Sequence, residues 1–271
     1  MSSFHVIAGA GEIPVRPIIR KIEFSDLKTA LEKGMADFWA MPSHAVFLSI
    51  LYPTVGIFLV VMTSGQDVMP LLYPLMSGFA LIGPFAAIGL YEISRQRELG
   101  HEPSWQQAFD VLRSPAVPSI FSLGFLLMMI FIFWIATAEG LYHWLFRPFA
   151  SQPYLEFLTQ VFTTREGLTL LFVGNFIGLL FTIVALSISV VSFPLLLDRD
   201  VGAAVAIQTS VKAVLANAPM MAIWGMIVAV LLALGTATFF VGLAIVMPVL
   251  GHSTWHLYRR LIAFEDDPVR R

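Results

Sequence analysis

Residues 218–251, APMMAIWGMIVAVLLALGTATFFVGLAIVMPVLG, run for 34 positions without one ionisable side chain. A soluble core helix of that length would need a polar face, and none is present. As one helix the stretch would be about 50 Å long, well beyond a hydrocarbon core of about 30 Å. It is therefore expected to divide near Leu234–Thr238 into two membrane helices joined by a tight turn.

Working outward, four more segments of about the spanning length appear: Ala45–Met62, Met69–Tyr91, Ala116–Ala138 and Leu168–Leu197. Six spans are thus expected. The composition agrees: 58% of the 271 residues are hydrophobic and 13% charged, against roughly a quarter charged in soluble domains. The absence of cysteine excludes disulfides, thiolate metal sites and a cysteine nucleophile. The net charge of −2 forms no basic stripe with interleaved aromatics, so nucleic acid is not an expected partner. Residues 1–23 read as a polar arm, extended by Pro14 and Pro17, and 263–271 as a tail, with the membrane domain at 24–262. The arm lacks the charged start and apolar core of a signal peptide, so the first span is expected to direct insertion.

Direction follows from lysine and arginine. Arg16, Arg20, Lys21, Lys28 and Lys33 precede the first span, and Arg95, Arg97 and Arg113 follow the second. Arg199 and Lys212 follow the fourth span, and Arg259, Arg260, Arg270 and Arg271 follow the last. Only Arg147 and Arg165 fall on the opposite side. Both termini are accordingly expected in the cytoplasm.

Each odd span is preceded by an amphipathic stretch that ends at a proline, Pro42, Pro115 or Pro219. The first carries Leu27, Ala30, Leu31, Met35, Phe38 and Trp39 at helical spacing, with Lys28, Glu32, Lys33 and Asp37 opposite. The second carries Trp105, Ala108, Phe109 and Leu112, and the third Ala204, Ile207, Val211, Val214 and Leu215. Each even span holds a proline near its cytoplasmic end, Pro84, Pro194 or Pro248. Three pseudo-repeats of interfacial helix plus two spans, all α, are the expected architecture.

The stretches LIGPFAAIGLYEISRQRELG (81–100) and VLGHSTWHLYRRL (249–261) resemble signatures of a proteobacterial integral membrane family, domain of unknown function 2189. The resemblance runs from about residue 20 to 262. It implies a polytopic fold in a bacterial inner membrane and brings no activity with it.

Candidate chemistry is sparse. None of the six histidines lies mid-span, which argues against a membrane haem. Counted from the even-span prolines, Asp198 and His252 fall at plus four, and Glu92 and His256 at plus eight. Two carboxylates and two imidazoles at matching depths form a candidate divalent-metal set. The competing reading is an interfacial collar, with the carboxylates on nearby arginines and Tyr91, Trp255 and Tyr258 as anchors. Glu139 and His143 share a helix face and read as a surface pair. Asn175 is the strongest polar residue within a span, flanked by Gly174 and Gly178 in a GxxxG that permits close packing. No nucleophile elbow, phosphate loop or metalloprotease spacing occurs, so neither an enzyme nor a cofactor is expected. The expected partner is the bilayer, with another membrane protein or further copies of the chain. A non-enzymatic scaffold or accessory role is expected. The alternatives are a transporter or channel for a small or lipid-like substrate, and the metal site.

Overall fold

In the computed structural model, residues 17–41, 72–79, 83–102, 104, 111–146, 154–238 and 241–264 are described. The strand β1 (Ile18–Ile19) precedes α1 (Phe24–Ala40), and α2 (Leu72–Phe79), α3 (Gly83–Ala86) and α4 (Ile88–Glu98) follow. After a 3₁₀ turn at Val111–Arg113 come α5 (Val117–Leu145), α6 (Tyr154–Thr163) and α7 (Arg165–Ser189). The chain continues through α8 (Ser192–Asp198), α9 (Ala203–Ala216) and α10 (Ala218–Ala237) to α11 (Leu243–Leu261) and β2 (Ile262–Ala263). The fold is all-α, with one two-residue antiparallel ladder between β1 and β2.

Among the described residues, three stretches are long and apolar enough to cross a bilayer: Val117–Leu145, Arg165–Asp198 and Ala218–Ala237. The expected first span, 45–62, lies outside the described residues, and the expected second appears as α2, α3 and α4. The uncharged stretch divides where its length requires, α10 ending at Ala237 and α11 starting at Leu243. Gly235 and Gly242 make that turn tight: a Cβ on Gly242 would lie 2.9 Å from the Gly235 Cα. Two helix limits depart from expectation. The helix of the third span runs seven residues past Ala138, because nothing in AEGLYHWL breaks it. The fourth breaks at Val190–Val191, where Pro194 has no N–H to offer the Val190 carbonyl. Pro248, by contrast, sits inside an uninterrupted α11.

The chain forms two compact units. The first comprises 1–52, 84–123 and 187–271. Its centre is α1 laid along α11, with α4, α8 and α10 also against α11. The approach is close because small residues face it. A Cβ on Gly34 would lie 2.8 Å from the Ser253 Cα, and one on Gly251 would lie 2.6 Å from the Leu90 side chain. Trp224, Trp255, Tyr91, Tyr258, Phe38 and Phe193 fill the interior.

The arm joins this unit. Ile18 pairs with Ala263 and Ile19 with Ile262, and the Arg20 N–H donates to the Leu261 carbonyl at 2.8 Å. Asn217 accepts from the Ile22 N–H at 3.0 Å and donates to the Arg20 carbonyl at 3.0 Å. Sequence separation hid this ladder, since neither two-residue strand has a periodicity to read.

Both described interfacial candidates form helices, each burying part of one face. On α1 the buried stripe is Leu27, Ala30, Gly34, Asp37 and Phe38, while Met35 and Trp39 are exposed. On α9 it is Ala206, Thr209, Ser210 and Ala213, while Ala204 and Leu215 are exposed. On α9 small and polar side chains meet the protein; on α1 Leu27 and Phe38 are buried with them, and Met35 and Trp39 turn outward. The corresponding second stretch lies outside the described residues between 105 and 110.

The second unit, 53–83 and 124–186, takes in α2, most of α5, α6 and most of α7. Trp134 of α5 packs on Phe181 of α7, ring centres 5.7 Å apart, and donates to the Pro74 carbonyl of α2 at 2.9 Å.

Candidate functional site

In the first unit, the two stretches that carry the family resemblance become α4 and the second half of α11, and their polar residues meet around Asp37 of α1. This carboxylate is buried and accepts from the Ser94 hydroxyl at 2.5 Å, from the His256 Nε2–H at 2.8 Å and from the Arg97 guanidinium. Ser94 Oγ is also 2.8 Å from His252 Nδ1. Its one hydrogen goes to Asp37, so His252 donates from Nδ1. Burial pushes the Asp37 carboxyl up, but hydrogen bonds from His256 and Ser94 outweigh it and hold the group below its ordinary range. Aspartate, serine and histidine are thus together, with the serine in the middle and wholly buried. That order suits a clamp between helices and offers no exposed nucleophile.

A second network joins α4 and α11 to α8. Asp198 accepts from the Tyr258 hydroxyl at 2.7 Å and from Arg259 at 3.1 Å, with Arg95 at 3.9 Å. Glu92 takes Arg95 at 3.2 Å and the Gln96 amide. Glu98 takes the Trp255 indole N–H and Arg259, each at 3.1 Å. The four candidate metal donors are therefore engaged separately: Glu92 and Asp198 by arginines, His252 by Ser94, His256 by Asp37. Among the described residues no three histidine or carboxylate side chains gather as a metal would require. Glu139 and His143 form the expected exposed pair, 3.9 Å apart.

In the second unit, Asn175 lies on a cavity of about 420 Å³. Its walls come from α2, α5, α6 and α7 and include Trp134, Leu141, Phe157, Val161 and Leu171. The Tyr73 hydroxyl donates to Asn175 Oδ1 at 2.7 Å, and Asn175 Nδ2 donates to the Leu171 carbonyl at 2.7 Å. One amide hydrogen of Asn175 has no acceptor among the described residues. The GxxxG is used within the chain: a Cβ on Gly178 would lie 3.0 Å from the Trp134 ring, and one on Gly174 would lie 3.6 Å from Leu141.

Sequence reasoning singled out Asn175 and the two histidines but missed Asp37, Ser94, Tyr73 and Trp134. One signal was readable. Leu27, Ala30, Gly34 and Phe38 follow a helical stripe, and Asp37, seven residues after Ala30, falls within it.

Long apolar helices with outward phenylalanines, Phe125, Phe133, Phe172 and Phe176 among them, make this an integral membrane protein. Residues 72–198 match the model of a family described as "Predicted integral membrane protein (DUF2189)", the family the sequence resembles. The match begins at Leu72, includes the first signature stretch and ends before the second. No curated protein and no solved structure matches the chain.

Proposed function

We propose that the protein is a carrier or permease for a lipid-like molecule, held in the cavity of the second unit. The observation that carries this reading is the chemistry of the wall around Asn175. It is aromatic and aliphatic over most of its area, with the Tyr73–Asn175 pair as a polar mark and one amide hydrogen left to give. Cavities of a few hundred cubic ångströms with few, placed polar groups are the usual form of a small-ligand site. A ligand with an apolar body and an acceptor oxygen, carbonyl or hydroxyl, complements it. No charge within the membrane is needed for such cargo, in keeping with its absence from 218–251. A scaffold role would draw on the GxxxG as a partner face, and that face already holds α5 of the same chain.

The reading includes six spans in a bacterial inner membrane with both termini cytoplasmic, supported by the placement of fourteen of the sixteen lysines and arginines. The test is mass spectrometry of lipids that co-purify in mild detergent. Wild type is expected to retain a lipid-like molecule near one per chain. Asn175→Leu, which removes the polar mark, is expected to lose most of it while its thermal midpoint holds. Equal lipid content in the two proteins would refute the site.

A further inference from the structure

We infer that the first unit carries a separate site for a phosphate group, in a cleft of about 410 Å³ between β1, α1 and the end of α11. Arg20, Lys33, Arg259 and Arg260 line it together with His256, against a single lining carboxylate among the described residues, Glu98. Arg259 is held by Glu98 and Asp198, and Arg260 has Asp26 at 3.5 Å. Arg20 and Lys33 have no carboxylate partner among the described residues. Two uncompensated cations beside two compensated ones are an arrangement that a bound anion relieves.

The cleft is built rather than incidental. Arg20 follows the β1–β2 ladder directly, and both its backbone groups are fixed, the N–H on Leu261 and the carbonyl on Asn217. Lys33 stands on α1, whose buried stripe is locked to α11 by Gly34 and Asp37. A guanidinium and an ammonium thereby line one cleft, the pairing that receives phosphate oxygens in a fork and as a point charge. Lys33 lies about 160° around α1 from the exposed Met35, so the cleft opens away from the helix's outward apolar stripe.

A phosphate group reaches such a site either on a soluble ester or on a lipid headgroup, and one experiment separates them. Full-length protein in neutral detergent is melted with increasing inorganic pyrophosphate, with sodium chloride at matched ionic strength as control. In parallel it is melted in nanodiscs of phosphatidylglycerol or of phosphatidylcholine. The doubly substituted Arg20→Gln, Lys33→Gln protein is compared with wild type and with Lys28→Gln, which lies outside the cleft. A saturable rise of the midpoint with pyrophosphate, weakened at least tenfold in apparent affinity in the double variant and kept in Lys28→Gln, establishes a site for a soluble phosphate. A rise only in phosphatidylglycerol, lost in the double variant, establishes a headgroup site. If neither probe distinguishes the double variant from Lys28→Gln, the inference is wrong. Should the double variant not fold, the single variants Arg20→Gln and Lys33→Gln replace it. Each must weaken the response relative to Lys28→Gln, or the inference fails equally.

Discussion

At the residue scale, one aspartate decides how the cytoplasmic-rim chemistry is arranged. Asp37 receives Ser94, His256 and Arg97, and so joins α1 to both α4 and α11. Removing it leaves a buried hydroxyl and an arginine without their acceptor, so Asp37→Ala is expected to cost about 3–5 kcal/mol, read as a fall in chemical or thermal midpoint. Its pH signature has a definite sign. The folded carboxyl sits below its ordinary value of 3.8, so its stabilisation is complete above that value and disappears as pH falls through the lower folded one. Melting wild type and Asp37→Asn from pH 7 to pH 3 should show a gap that closes only below about pH 4. A gap already closed at pH 5 would refute the lowered carboxyl. None of this was legible from residue type, because Asp37 reads as solvent-facing until the partner helices are known.

At the element scale, two helices divide their large apolar residues between two surroundings. Periodicity correctly places helices at 24–40 and 203–216, with Leu27 and Phe38 inside and Met35, Trp39 and Leu215 outside. The physical reason is that these helices have two apolar neighbours, protein on one side and the medium facing Trp39 and Leu215 on the other. Close backbone approach to α11 demands Gly34, and Met35 and Trp39 are left for the outer face. Gly34→Ala is therefore expected to destabilise by about 1–3 kcal/mol despite alanine's better helix propensity, because its Cβ would meet Ser253 backbone. Thermal unfolding of the purified variant checks it, and an unchanged or raised midpoint would show that α1 can move off α11 at no cost.

At the scale of the whole molecule, the charge bias makes a prediction that the cysteine-free chain allows to be tested without background. Single cysteines at Lys28 and Lys212 should react with a membrane-impermeant maleimide only after cells are opened, whereas one at Glu139 should react in spheroplasts. Labelling of all three from outside would overturn the orientation. Helix count is a different matter from direction. Length and hydropathy located the division of 218–251, while the fate of each proline depended on its neighbours. Pro194 coincides with a break, and Pro248 is absorbed within a helix packed against α1, α4 and α10.

The sequence by itself determined that the chain is helical and membrane-embedded, because bilayer thickness and the cost of burying charge act on each segment locally. What only the tertiary structure decided is which side chains meet. Asp37 lies 219 positions from His256, and Tyr73 lies 102 from Asn175. Contacts at such separations leave no periodic trace, since they depend on how glycines let helices approach and on which polar groups must then satisfy one another.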